Sequence, residues 1–123
     1  MKNLFASETS PIRWFYHTAR TEANFYESCQ LRDRVLALAD KPSRTSDEQA
    51  ESARLLRRWR EVLKDEKQNT GQARPVMAAD VRLDYHYGGD HMFSHGVDVL
   101  DAKLKIITGE LDEFLPKVAA RCQ

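Results

Sequence analysis

Apolar residues recur every three or four positions over most of this chain, a spacing that predicts helices rather than strands. The first apolar stretch opens at Ser10-Pro11, a capping residue followed by proline at the first helical position. It closes at Lys41-Pro42, because proline disfavours a helical conformation in the residue before it. The helix predicted over about 11–40 carries Ile12, Phe15, Tyr16, Ala19, Ala23, Tyr26, Cys29, Leu36 and Ala39 at mostly helical spacing. The stripe drifts near Arg32-Asp33-Arg34, which allows a bend there.

Pro42 to Thr45 reads as a turn. Ser46-Asp47-Glu48-Gln49 then reads as a capping box, with Ser46 as the N-cap and Gln49 three residues on. The second helix is expected over 47–68, burying Ala53, Leu55, Leu56, Trp59, Val62 and Leu63. Asn69-Thr70-Gly71 is the expected stop. Beyond it, Val81, Leu83, Tyr85 and Tyr87 alternate with Arg82, Asp84 and His86, which is the period of a strand. A lone strand leaves its own backbone unpaired. The segment is therefore expected to be irregular or briefly extended, ending at Gly88-Gly89.

The third helix, expected over 90–120, has the most regular pattern. Phe93, Val97, Leu100, Leu104, Ile107, Leu111, Phe114 and Val118 alternate steps of four and three, a heptad seam. Met92, Val99 and Ile106 widen the apolar face. Gly96, Gly109 and Pro116 weaken it, with Pro116 marking a kink or the end. The fold class this predicts is all-α: a three-helix, bundle-like single domain over 1–123 with an irregular or short extended segment before the last helix.

Composition narrows the setting. A chain of 123 residues, 41% hydrophobic and 31% charged, suits one soluble globular domain. No apolar run approaches the roughly 18 residues that span a bilayer. Leu4, Phe5 and Ala6 are too short a run for a signal-peptide core. Cys29 and Cys122 match no metal or redox spacing, so they read as reduced thiols of a cytoplasmic protein, Cys29 a core filler and Cys122 exposed. With 19 basic and 19 acidic residues the net charge is zero, which disfavours wholesale binding to nucleic acid or anionic membrane.

Candidate chemistry is sparse. Asp84, His86, Asp90, His91, His95 and Asp98 form the densest group of potential ligands. On a helix, His91, His95 and Asp98 share one face, and two imidazoles with a carboxylate hold Zn or Fe(II) with open positions. His86 would add a ligand from the connector. The same face lies opposite the apolar seam, so a solvated helix surface also accounts for it. Arg54, Arg57, Arg58 and Arg60 make the second helix basic, and residues 51–75 carry net +3 against −3 for 76–123. These arginines would meet phosphates, or face the acidic third helix, with Arg57 and Glu61 as an i,i+4 pair. No phosphate-binding loop, nucleophile elbow or paired-carboxylate signature is present, so catalysis is the minority expectation and no cofactor is implied. Trp14, Phe15 and Tyr16 cannot all face one side of a helix, so at least one is exposed or covered by another chain. Together with the seam, this points to an interaction or regulatory protein. The expected state is a homodimer, its interface drawn from Trp14, Phe15, Phe93, Val97, Leu100, Leu104, Ile107, Leu111 and Phe114. A small metal-dependent enzyme using the Asp84–Asp98 group and a nucleic-acid-binding regulator are the rival readings.

Overall fold

The computed structural model describes residues 2–80, 83 and 96–123, with side chains from residue 9 onward. Those residues are helical apart from the 40–45 connection and the helix ends, and contain no strand. α1 spans Lys2–Ala39 and α2 spans Ser46–Ala79. α3 (Gly96–Gly109), a π-helical turn (Glu110–Phe114) and α4 (Leu115–Arg121) follow one another without a break. The expected strand character over 81–87 and the start of the last helix at 90–95 lie outside the described residues, apart from Leu83, whose N–H donates to the Asp80 carbonyl.

α1 and α2 form an antiparallel hairpin of rods roughly 50 Å long or more. The pairs Lys41–Glu48, Glu27–Arg58, Asn24–Asp65 and His17–Asn69 run in opposite chain directions along it. The tight connection is fixed at both ends. Thr45, not Ser46, caps α2: its hydroxyl accepts from the Glu48 N–H while the Glu48 carboxylate accepts from the Thr45 N–H. Arg44 reaches the other way. Its guanidinium donates to the carbonyls of Leu38 and Lys41 at the end of α1 and of Arg121 and Cys122 at the end of α4. The carbonyls at a helix C-terminus lack the next turn's N–H donors, so one side chain ties the C-termini of two helices together.

The two long helices overrun their sequence signals. α1 passes through Pro11, which is exposed. α2 passes through Asn69-Thr70-Gly71 and Pro75 to Ala79. Asn69 and Thr70 read as stop signals, yet both are buried and bonded, and Ala73 and Met77 beyond them pack under Leu100. Tertiary contact outweighs the local propensity.

The core has two apolar clusters with a polar layer between them. The larger one, at the hairpin end, joins Leu31, Val35 and Ala39 of α1 to Leu55, Trp59, Val62 and Leu63 of α2 and to Ile107, Leu111, Leu115, Val118 and Cys122. The smaller joins Ala73, Met77 and Leu100, with Trp14 and Val97 packed on it. Cys122 is thus buried, not exposed, while Cys29 is only half-buried. Ala53, expected inside, is exposed, and Leu56 is half-buried. α3 packs along α2, and α4 closes against both α1 and α2.

The heptad seam of the last helix breaks at the π-helical turn. The Leu115 N–H bonds to the Glu110 carbonyl, five residues back rather than four. Pro116 has no N–H to offer the preceding turn, and the turn before it widens instead of ending. One extra residue in the turn rotates the buried face, so Leu115 takes the position the pattern assigned to Phe114. Phe114 is left 40% exposed, edge-on to Trp59 with ring centroids 6.0 Å apart. No helix of the described residues is long and apolar enough to cross a membrane.

Candidate functional site

α1 carries its polar and apolar residues in an unusual arrangement. From His17 to Ser28 the side facing α2 is polar, carrying His17, Thr21, Asn24 and Ser28. Asn69 of α2 is fully buried, donating to the His17 carbonyl at 2.9 Å and to Thr21 Oγ1 at 3.0 Å. Its Oδ1 lies 2.7 Å from His17 Nδ1, and since an amide oxygen only accepts, that ring nitrogen carries the proton. Glu66 is buried beside it and accepts from Thr21 Oγ1 (2.6 Å), Asn24 Nδ2 (2.8 Å), Thr70 Oγ1 (3.2 Å) and Lys103 Nζ. Burial works against the charged carboxylate, but the bonds from Lys103, Thr21 and Asn24 outweigh it and hold Glu66 below its ordinary value. Arg20 and Asn24 bind Asp65 and lower its pKa as well. Trp59 Nε1 donates to Ser28 Oγ at 2.9 Å. Among the described residues, no buried side-chain nitrogen or oxygen is left without a partner.

The opposite side of α1, which touches neither helix, is apolar. Ile12, Phe15, Tyr16 and Tyr26 are all well over half exposed, Phe15 at 74% and Tyr26 at 70%. Ala19 and Ala23 lie between them on the same face, also exposed. Phe25, 67% exposed, leads from this face into a groove of about 260 Å³ between α1 and α3. Trp59, Val62 and Ile107 floor that groove, and Cys29 and Ile106 flank it. The aromatic triplet thus divides as its geometry requires: Trp14 turns inward onto the smaller cluster, while Phe15 and Tyr16 face out.

The remaining candidates fall in different places. Of the proposed seam interface, Leu100, Ile107 and Leu111 are buried within this chain, Val97 packs on its smaller cluster, and Leu104 is half-buried. Among the described residues, most of the stripe packs on the rest of this chain, while Leu104 and Phe114 stay partly exposed. Phe93 lies outside the described residues, as do Asp84, His86, Asp90, His91 and His95. Asp98 sits exposed in the first turn of α3. Among the described residues, no group of three or more His, Cys, Asp or Glu side chains is placed to hold a metal ion.

The arginines of α2 divide between two sides. Arg58 turns toward α1 and binds Glu27 at 2.6 and 2.9 Å, and it also takes Glu61, the residue expected to pair with Arg57. These carboxylates push its pKa up. Arg54 lies on the same side near Glu51. Arg57 and Arg60 point away from α1, beside a groove of about 430 Å³ between α2 and α4.

No protein-family model matches this chain, and no match to it is found among the curated proteins or the solved structures.

Proposed function

We propose that this chain is a cytoplasmic protein-interaction protein that acts as a homodimer, with the outer face of α1 as the contact. One observation carries the reading: Ile12, Phe15, Tyr16 and Tyr26 lie bare on the side of α1 that faces away from its own hairpin, while the side facing α2 is polar. Exposed apolar patches of this kind mark interaction sites. A second copy suits the pattern because the face is close to self-complementary. Along the helix, three large side chains (Ile12, Phe15, Tyr16) precede two small ones (Ala19, Ala23) and a further large one (Tyr26). In an antiparallel two-fold pair centred near Ala19, each Tyr26 meets the other copy's Ile12, and the alanines let the helix axes approach. The two thiols, neither in a disulfide, accord with a reducing compartment.

The test is the urea midpoint over a hundredfold range of protein concentration. A dimer's midpoint rises with concentration and a monomer's does not. The native chain is expected to show the rise, and Phe15→Ser with Tyr26→Ser to abolish it without loss of helix, since neither side chain supports the core. A midpoint independent of concentration in the native chain refutes the reading.

A further inference from the structure

Among the described residues, about half of the Lys and Arg side chains are paired with a carboxylate of this chain. Arg20, Arg34, Arg58, Arg74 and Lys103 each hold a carboxylate from another helix, and Arg121 holds Asp40 just beyond α1. Four cations on the outer face of α2 do not. Arg57, Arg60, Lys64 and Lys67 follow one another at steps of three, four and three, so they share one side of the helix. All four are exposed, and none has a carboxylate partner among the described residues. The other described Lys and Arg side chains without a carboxylate are Arg13, Lys105 and Lys117, each on a different helix, and Arg44, which is bound to carbonyls. The neutral total charge therefore conceals a local row of four positive charges.

We propose that this face of α2 binds the phosphate backbone of duplex DNA. The row is straight, rigid and about 15 Å long at 1.5 Å rise per residue. A duplex presents one negative charge per roughly 1.7 Å of axis with both strands counted, so a face of this length lies within reach of several phosphates. A protein partner would meet an apolar centre in its contact, and this face of α2 exposes no large apolar side chain. An anionic membrane fits poorly, because the exposed large apolar side chains lie on α1, α3 and the π-helical turn and none on α2. The same lack of aromatic side chains on this face removes the stacking platform that single strands use. The open major groove of B-form DNA admits a helix, whereas that of A-form RNA does not. The site uses the arginines differently from their order in the sequence: Arg57 and Arg60 join two lysines, and Arg54 and Arg58 are outside it. It rests on α2 alone and not on the association proposed above.

The experiment is fluorescence anisotropy of a fluorescein-labelled 20-base-pair duplex between 25 and 200 mM KCl. The native chain is expected to bind at 25 mM, with log K falling against log salt at a slope near −3.6, about 0.9 per phosphate contact. R57Q/R60Q should halve that slope, and R57Q/R60Q/K64Q/K67Q should abolish binding while the circular dichroism spectrum stays native. R54Q/R58Q, which removes paired cations, should leave the slope within about one contact of native. Absence of binding by the native chain at 25 mM overturns the proposal. So does an unchanged slope in the quadruple variant. Tighter binding of single-stranded RNA or of polyglutamate than of the duplex assigns the face to another partner and overturns it too.

Discussion

Replacing Lys103 with Met tests the polar layer at its most sensitive point. Among the described residues the Glu66 carboxylate has four donors, of which Lys103 is the only cation. Met keeps the length and packing of the lysine stem and removes the charge. The Glu66 side chain is 9% exposed and that of Lys103 is 29% exposed, so the pair lies between two regimes. Breaking a fully buried pair costs about 3–5 kcal/mol, while a surface pair is worth about 0–1 kcal/mol. The three remaining hydrogen bonds keep the carboxylate partly satisfied, which puts the expected loss at about 2 kcal/mol at pH 7. With a urea m value of roughly 2 kcal/mol/M, the midpoint falls by about 1 M. The loss also carries a pH signature. Glu66 has a folded pKa below its ordinary value, so its contribution is present above the usual carboxylate range and disappears as pH falls through the folded pKa. Without Lys103 that pKa moves up and the contribution shrinks. Urea curves of native and K103M protein should therefore differ most near pH 7 and converge as pH falls through the folded pKa of Glu66. A difference under about 0.5 kcal/mol, or one that does not change with pH, refutes the role given to this pair.

Leu115→Ala should cost about 2–5 kcal/mol, because Leu115 is 1% exposed, whereas Phe114→Ala should cost less than half as much. The reverse order, measured by thermal unfolding, would restore the uninterrupted heptad and contradict the π-helical turn. Arg44→Met should lower stability by about 1–3 kcal/mol through the loss of charged hydrogen bonds to five carbonyls. Amide exchange should quicken together at the ends of α1 and α4, and exchange confined to one of them would contradict the shared cap.

The sequence exposes this fold unevenly. The hairpin turn, the acidic start of α2 and its buried Leu55, Trp59, Val62 and Leu63 are all legible, because local capping chemistry and tertiary packing agree there. Asn69-Thr70-Gly71 misleads for a physical reason: residues that end a helix when solvated are the same ones that can fill a buried polar layer once a partner helix supplies donors and acceptors. Nothing in α2 alone shows that His17 and Thr21 will be those partners. On α1, periodicity finds Ile12, Tyr16, Ala19, Ala23 and Tyr26 as one stripe but not which way it faces, since a core and an interface repeat with the same period. The polar run His17, Thr21, Asn24, Ser28 on the other side was the available signal, legible only when paired with Asn69 and Glu66. The extra residue of the π-helical turn leaves no periodic mark, and Pro116 alone indicates that the turn before it is disturbed.

The most direct measurement is sedimentation equilibrium of the native chain across the micromolar range. The outer face of α1, as a contact between copies, predicts a mass of twice the 14.2 kDa chain, returning to 14.2 kDa in the Phe15→Ser, Tyr26→Ser variant. A native mass of 14.2 kDa at every concentration would contradict it.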